Sequence, residues 1–364
     1  MAETLIPARL PPAQHHGVLA RLRRQLAASP ASALATLLIA ATLLWCLPEL
    51  WSWAVTRAQW MGPAQDCRAE HAGACWSVIH EKYRLILLGR YPQDQAWRPV
   101  IATLLMLIMV AASGMRRCWR PALGGAWVLV LPTVLWLLHG GLGLTRVETD
   151  RWGGLPLTIL LATLSIALAF PLAVLVALGR RSDMPALRVV CATYVEVVRG
   201  VPLVSVLFMA SFMFPLLLPQ GMTIDVLLRV LLGISLFAGA YMAEVVRGGL
   251  QALPRGQTEA AASLGLSYWQ TQRRIVLPQA LATVVPGLMN NFIAIFKDTS
   301  LVTIVSLYEL TGALGMGLNS DADWRPFKLE AYVFIALIYF VFCAVMSRYS
   351  QRIEQHLNRG RAHD

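Results

Sequence analysis

Residues 247–281 read RGGLQALPRGQTEAAASLGLSYWQTQRRIVLPQAL, a polar stretch set between two apolar blocks, 226–246 and 282–307. Pro254 and Gly256 set a turn, after which Thr258 can cap a short helix through Glu259, Ala260, Ala261, Ala262 and Leu264. Gly265 interrupts that helix. Ser267 and Gln270 stand three apart as a capping box opening a second helix, which Pro278 is expected to end. Ala261, Leu264, Gly265 and Tyr268 keep the spacing i, i+3, i+4, i+7 and are expected to form one apolar stripe. A short helix with a small-residue face suits docking into a groove of another protein. The alternative is an amphipathic helix lying on lipid, which Tyr268, Trp269, Arg273 and Arg274 also suit. Glu259 and the alanine run are poor lipid anchors and favour the protein groove.

Working outward, crossing about 30 Å of hydrocarbon takes roughly 20 mainly apolar residues. Blocks of that kind lie at 31–50, 99–115, 122–139, 155–179, 186–218, 226–246, 282–307 and 330–347. The expected fold is an all-α polytopic membrane protein with about eight transmembrane helices. Composition agrees: 57% of the 364 residues are apolar and 14% charged, against about 25% charged in soluble domains. A soluble enzyme, a disordered chain and a disulfide-stapled secreted scaffold are excluded.

The formal charge of +11 raises the question of nucleic acid. The cations, however, sit in short segments between apolar blocks, which is the topology signal of cytoplasmic loops rather than a phosphate-binding stripe. No nucleic-acid partner is expected; the partner common to all eight blocks is membrane lipid. With both termini inside, the cytoplasmic segments 1–30, 116–121, 180–188, 247–281 and 348–364 hold nearly twice the Lys and Arg of 51–98, 140–154, 219–225 and 308–329. The arm before the first block carries Arg9, Arg21, Arg23 and Arg24. That block ends in Trp45, Pro48, Glu49 and Trp51 instead of a small-residue cleavage site, so it reads as a retained anchor.

Cys67 and Cys75 share the outer loop 51–98, where spacing leaves a local disulfide and two free thiols both open. With no HExxH and no paired CxxC, no metal site or other cofactor is expected. There is no GxxxxGK[ST], and none of Lys82, Lys297 and Lys328 follows a glycine, so this chain cannot cradle ATP phosphates in a P-loop.

Polar residues inside apolar blocks mark functional candidates, because a charge at the bilayer centre is costly. Asn290 precedes Lys297 by seven, and Asn291 precedes Asp298 by seven, two helical turns in each case. These four form a polar band able to meet the carboxylate and amino groups of a zwitterion, or to pair structurally with a neighbouring helix. Glu196 and Arg199 are three apart, and Glu244 and Arg247 repeat the arrangement. They read as static helix pairs, or as an inner gate whose pairs exchange. Gly200 and Pro202 allow a kink beside the first pair.

The spacing Glu259-Ala260-Ala261, three residues, Gly265, nine residues, then Ile275-Val276-Leu277-Pro278 resembles the EAA loop of ABC-importer permeases. The flanks RGGLQALPRGQTEAA and KDTSLVTIVSLYEL are similar to the polar-amino-acid branch. YVEVVRGVPLVSVLFMASFMFP, WGGLPLT and GACW resemble the M-type chains of general L-amino-acid permeases. The resemblance implies a type I ABC-importer permease core over 154–350, with coupling loop 247–281. Residues 1–153, with three extra N-terminal spans, precede the core, and a basic tail 351–364 follows. It implies a sister permease subunit (a heterodimer), an ABC ATPase homodimer, and a periplasmic amino-acid-binding protein at the outer face of an inner membrane. Glu259, Ala260, Ala261, Gly265, Ile275, Leu277 and Pro278 would couple to the ATPase. The chain itself would catalyse no bond chemistry. Two other classes compete: an ion-coupled secondary amino-acid transporter using Glu196, Glu244 or Asp298 as a relay, and a membrane-embedded enzyme or assembly factor, for which no nucleophile motif, His cluster or metal set is present.

Overall fold

The computed structural model describes residues 29–361, and the basic arm with Arg9, Arg21, Arg23 and Arg24 lies outside the described residues. The described residues are helical without a β-strand. Contacts divide the chain into two compact units between Ser77 and Val78, upstream of the boundary near residue 154 read from the sequence.

In the first unit, α1 (Pro30–Trp51) starts at a capping box made by Ser29 and Ser32 and runs into one π turn, Ser52–Thr56. None of its residues is buried, and it is apolar on every side. Such a perimeter belongs in lipid or against another chain. Beyond it, Arg57 pairs with Glu49, and the loop closes on itself through Gln59 N–H to Ala74 O (2.8 Å) and Ser77 N–H to Gln59 O (3.0 Å). Trp76 lies between Trp53 and Trp60, ring centroids 6.4 and 6.1 Å away. The structure joins Cys67 to Cys75, with Cα atoms 5.5 Å apart.

Helix α2 (Ser77–Leu88) starts on the last residue of the first unit and otherwise belongs to the second, where its Lys82 donates to Asp321 at 3.0 Å. That hydrogen bond holds the Asp321 carboxyl below its ordinary range. Next come α3 (Trp97–Gly114) and α4 (Pro121–His139), which pack on each other through Ala102, Met106, Val134 and Leu138. Arg98, near the start of α3, is 1% exposed and joins no ion pair among the described residues. Its Nε donates to Leu137 O (2.6 Å) and its Nη1 to Thr145 O (2.9 Å) and to Gln95. The cation thus closes the carbonyl end of α4, where the helix dipole is negative. Replacing Arg98 with Met takes the donor from Thr145 O and leaves Leu137 O only the Tyr91 hydroxyl at 3.2 Å, and should cost about 2–3 kcal/mol. A lower thermal midpoint of the detergent-purified protein is the check; an unchanged midpoint would refute the capping role.

The core of the unit is α5 (Gly154–Gly179) crossed by α8 (Val226–Gln251). Ala169, Ala173 and Ala177 on α5 and Ala240 and Ala243 on α8 are fully buried. Small side chains of this kind let transmembrane backbones approach closely. At Gly239 an added Cβ would stand 2.8 Å from Leu172 Cδ2. Between these helices, the block 186–218 is not one straight rod. α6 (Pro185–Gly200) and α7 (Leu203–Phe208, prolonged by π and 3-10 turns to Leu217) meet at 105°. Pro202 has no N–H to give and forces Val201 into extended backbone.

The remaining helices are α9 (Gly256–Ser263), the short α10 (Tyr268–Thr271), α11 (Leu277–Asp298), α12 (Leu310–Asn319) and α13 (Lys328–Arg361). Pro278 does not end a helix. Residues 268–305 form one continuous helical run, because a π turn over Gln272–Val276 widens the ladder where the proline ring would meet the Arg274 carbonyl. The last block also grows: α13 continues to Arg361, so residues 351–361 prolong its helix. Seven helices among the described residues are long and apolar enough to span a membrane, and the bent α6–α7 pair supplies an eighth.

Candidate functional site

Three groups of residues singled out in the sequence fall at three places in the second unit. The first is the α9 elbow. Glu259 and Ala260 are exposed, whereas Ala261 is 1% exposed and turned against its own chain. The structure therefore parts the Ala260–Ala261 pair that the sequence placed on one docking face. The expected stripe through Leu264 and Tyr268 is also broken, since α9 stops at Ser263. The cause is Gly265 at φ +73°, a left-handed residue closing the helix through Gly265 N–H to Ala262 O (2.9 Å) and Leu266 N–H to Ala261 O (3.1 Å). What points outward is Glu259, Ala260, Leu264 (78% exposed), Tyr268 and Trp269. Thr258 caps nothing and donates to Arg255 O at 2.7 Å. The capping box of Ser267 and Gln270 is present, its Ser267 N–H to Gln270 Oε1 bond measuring 2.9 Å. Ile275 and Leu277 are half-buried and Pro278 is exposed. Gln279 reaches back from α11 to Gln257 at 3.3 Å, bracing the elbow from below.

The second group is ionic and gathers at the ends of α5, α6 and α8. Glu196 does not pair with Arg199 in the manner its spacing suggests. Both glutamates instead converge on Arg180, the residue capping α5: Nη1 to Glu244 Oε2 at 2.7 Å and Nη2 to Glu196 Oε1 at 3.1 Å. Arg247 grips Glu244 from its own helix, with Nε 3.1 Å from Oε2, and Arg199 stands 3.9 Å away over the ring of Tyr241. One guanidinium thus ties three helices. Because Glu196 is 67% exposed and Arg180 only 15%, Glu196→Gln should cost less than about 1 kcal/mol. Arg180→Gln strips both links and leaves Glu244 less compensated, so it should lower the thermal midpoint of the detergent-purified protein further. Equal, negligible effects of the two variants would show that the cluster ties nothing.

The third group lies on α11. Asn290 and Lys297 are exposed and Asn291 and Asp298 half-buried; Asn291 Nδ2 donates to Gly287 O at 2.9 Å. By helical register this band stands opposite an open apolar cleft of about 350 Å³ that Val285, Met289 and Phe292 share with Ile166 and Phe170 of α5. After Asp298 the helix tightens to a 3-10 turn, Thr299–Val305, ending at Ser306 with φ +64°. Immediately beyond, the sequence reading passed over Glu309, which is fully buried at the N-cap of α12. It also passed over Arg180 and Arg98, which it had counted only as loop cations.

The match to the family model described as binding-protein-dependent transport system inner membrane component covers residues 169–359. The inner membrane amino-acid ABC transporter permease protein YhdY of Escherichia coli (strain K12) is 48% identical over 88% of this chain and 88% of its own. The glutamate/glutamine/aspartate/asparagine transport system permease protein BztC of Rhodobacter capsulatus is 33% identical over 98% of this chain and 97% of its own. A chain of a solved amino acid ABC transporter with histidines aligns at 29% identity over 56% of this chain and 92% of that one, with a TM-score of 0.48. An exposed elbow between two long apolar helices, an eight-block helical membrane chain and relatives matched along nearly their whole length agree: the chain belongs to the binding-protein-dependent transport system inner membrane components, among the amino-acid ABC transporter permeases.

Proposed function

We propose that the chain is the translocating subunit of an ATP-driven, binding-protein-dependent importer of polar L-amino acids, working beside a sister permease. ATP is burned on a separate ATPase homodimer that grips the α9 elbow, and a periplasmic binding protein loads the outer face. Both termini then lie in the cytoplasm, and the Cys67–Cys75 loop lies on the oxidising side. Residues 154–350 carry the path, and the spans before them are accessory.

The observation carrying this reading is the elbow: Glu259 and Ala260 face out of the chain, braced by Gln279, in a sequence with no phosphate-cradling loop of its own. The exposure of Asn290 and Lys297 supports a second permease subunit, since a band left open on one chain needs another chain to become a path. Membership of the family sets aside the ion-coupled secondary transporter. The test is uptake of labelled polar L-amino acids into proteoliposomes holding the co-purified complex. Uptake should require ATP on the elbow side; uptake by this polypeptide alone, driven by an ion gradient, would refute the proposal.

A further inference from the structure

We infer that Glu309 is the positioning residue of the transport path, its buried carboxylate fixing the turn that presents Lys297 and Asp298. The inference rests on the polar-band reading above. Glu309 Oε1 accepts from the N–H groups of Thr311 (2.8 Å) and Gly312 (3.1 Å) and from the Thr303 hydroxyl (3.3 Å). Its Oε2 accepts from the Tyr339 hydroxyl at 2.8 Å and lies 3.3 Å from the Thr158 hydroxyl. Each partner can donate to it, which favours the charged carboxylate, while burial pushes the carboxyl above its ordinary range. No Lys or Arg pairs with it among the described residues, and the N-terminus of α12 supplies the compensating dipole.

Capping α12 needs one oxygen, and a serine would serve. The second oxygen explains why an acid stands there, because it draws in α5 through Thr158 and α13 through Tyr339. The same residues hold the polar band from both sides. Phe296, one residue before Lys297, packs edge-on against the Tyr339 ring at 5.4 Å. Thr299, one residue after Asp298, is buried with its hydroxyl on Phe296 O (2.7 Å), and Thr303 closes the turn onto Glu309. Leu310 N–H to Thr158 Oγ1 (3.1 Å) and Gly154 N–H to Tyr308 O (2.9 Å) complete the knot to α5. Lys297 and Asp298 are therefore the free middle of a segment pinned at each end through one carboxylate.

In the complete complex with its ATPase and binding protein, Glu309→Gln puts an amide N–H₂ against donors on one side. It should raise the KM for uptake of a panel of labelled polar L-amino acids about tenfold, with ATP turnover per folded complex little changed. Tyr339→Phe, which removes one donor and spares the cap, should raise KM less, in the same direction. It also serves as the readout if Glu309→Gln does not assemble. A purely structural role would lower the amount of folded complex and leave KM untouched, and that result overturns the inference. Lys297→Met separates the two levels. If it raises KM while the Glu309 and Tyr339 variants do not, positioning fails and the band stands; if it too leaves KM unchanged, the band reading falls and takes this inference with it.

Discussion

Replacing Glu259 with lysine, or Gly265 with aspartate, is expected to abolish amino-acid uptake while the protein inserts and accumulates normally. Glu259 is exposed and joins no ion pair among the described residues, so its charge reversal should alter stability by no more than about 0.5 kcal/mol. At Gly265 an added Cβ meets no atom within 4 Å; the only penalty is the left-handed backbone at φ +73°. That is about 1–2 kcal/mol, well short of the 5–15 kcal/mol that typically holds a folded domain. Neither change can act by unfolding the chain. Each alters what the elbow offers a partner: Glu259→Lys inverts its charge, and Gly265→Asp changes the angle between α9 and α10. Uptake into vesicles, read against protein recovered in the membrane, measures both. Normal uptake by the two variants would remove the elbow from the mechanism.

A comparably large effect is expected at the polar band. Lys297→Met removes the one ammonium on α11 able to receive a substrate carboxylate. A hydrogen bond to a charged group contributes roughly 1.5–3 kcal/mol, which corresponds to a rise of about ten- to hundredfold in KM. Asp298→Asn should weaken the hold on the substrate amino group in the same way. Because Lys297 is exposed in the single chain and Asp298→Asn preserves the size and shape of a half-buried side chain, neither change should disturb packing. Concentration-dependent uptake by the reconstituted complex is the measurement. A lowered maximal rate at constant KM would mean that these residues serve assembly and not recognition.

The spanning helices were legible because lipid imposes them: a backbone crossing hydrocarbon must satisfy its own polar groups, so apolar length suffices to find a helix. The break at Pro202 and the left-handed stop at Gly265 were legible for an equally local reason, the stereochemistry of single residues. What the sequence hid depends on partners far along the chain. Arg180 meets Glu244 across 64 positions, and Glu309 meets Thr158 across 151. A spacing of three, as between Glu196 and Arg199, suggested a local pair that the more distant Arg180 displaces. Pro278 misled in another way, since a π turn absorbs it without ending the helix. Glu309 was overlooked because SLYELTG follows an apolar block and reads as an outer loop, whereas the chain turns back into the bundle there.

The account turns on what touches the outward face of α9. A photo-activatable side chain placed at Ala260, in membranes from cells making the whole transporter, reports that contact directly. The expected product is a covalent adduct with a nucleotide-binding polypeptide, its yield changing when ATP is added. Adducts with phospholipid alone would mean that the elbow lies on the bilayer surface, and the proposed coupling would be wrong.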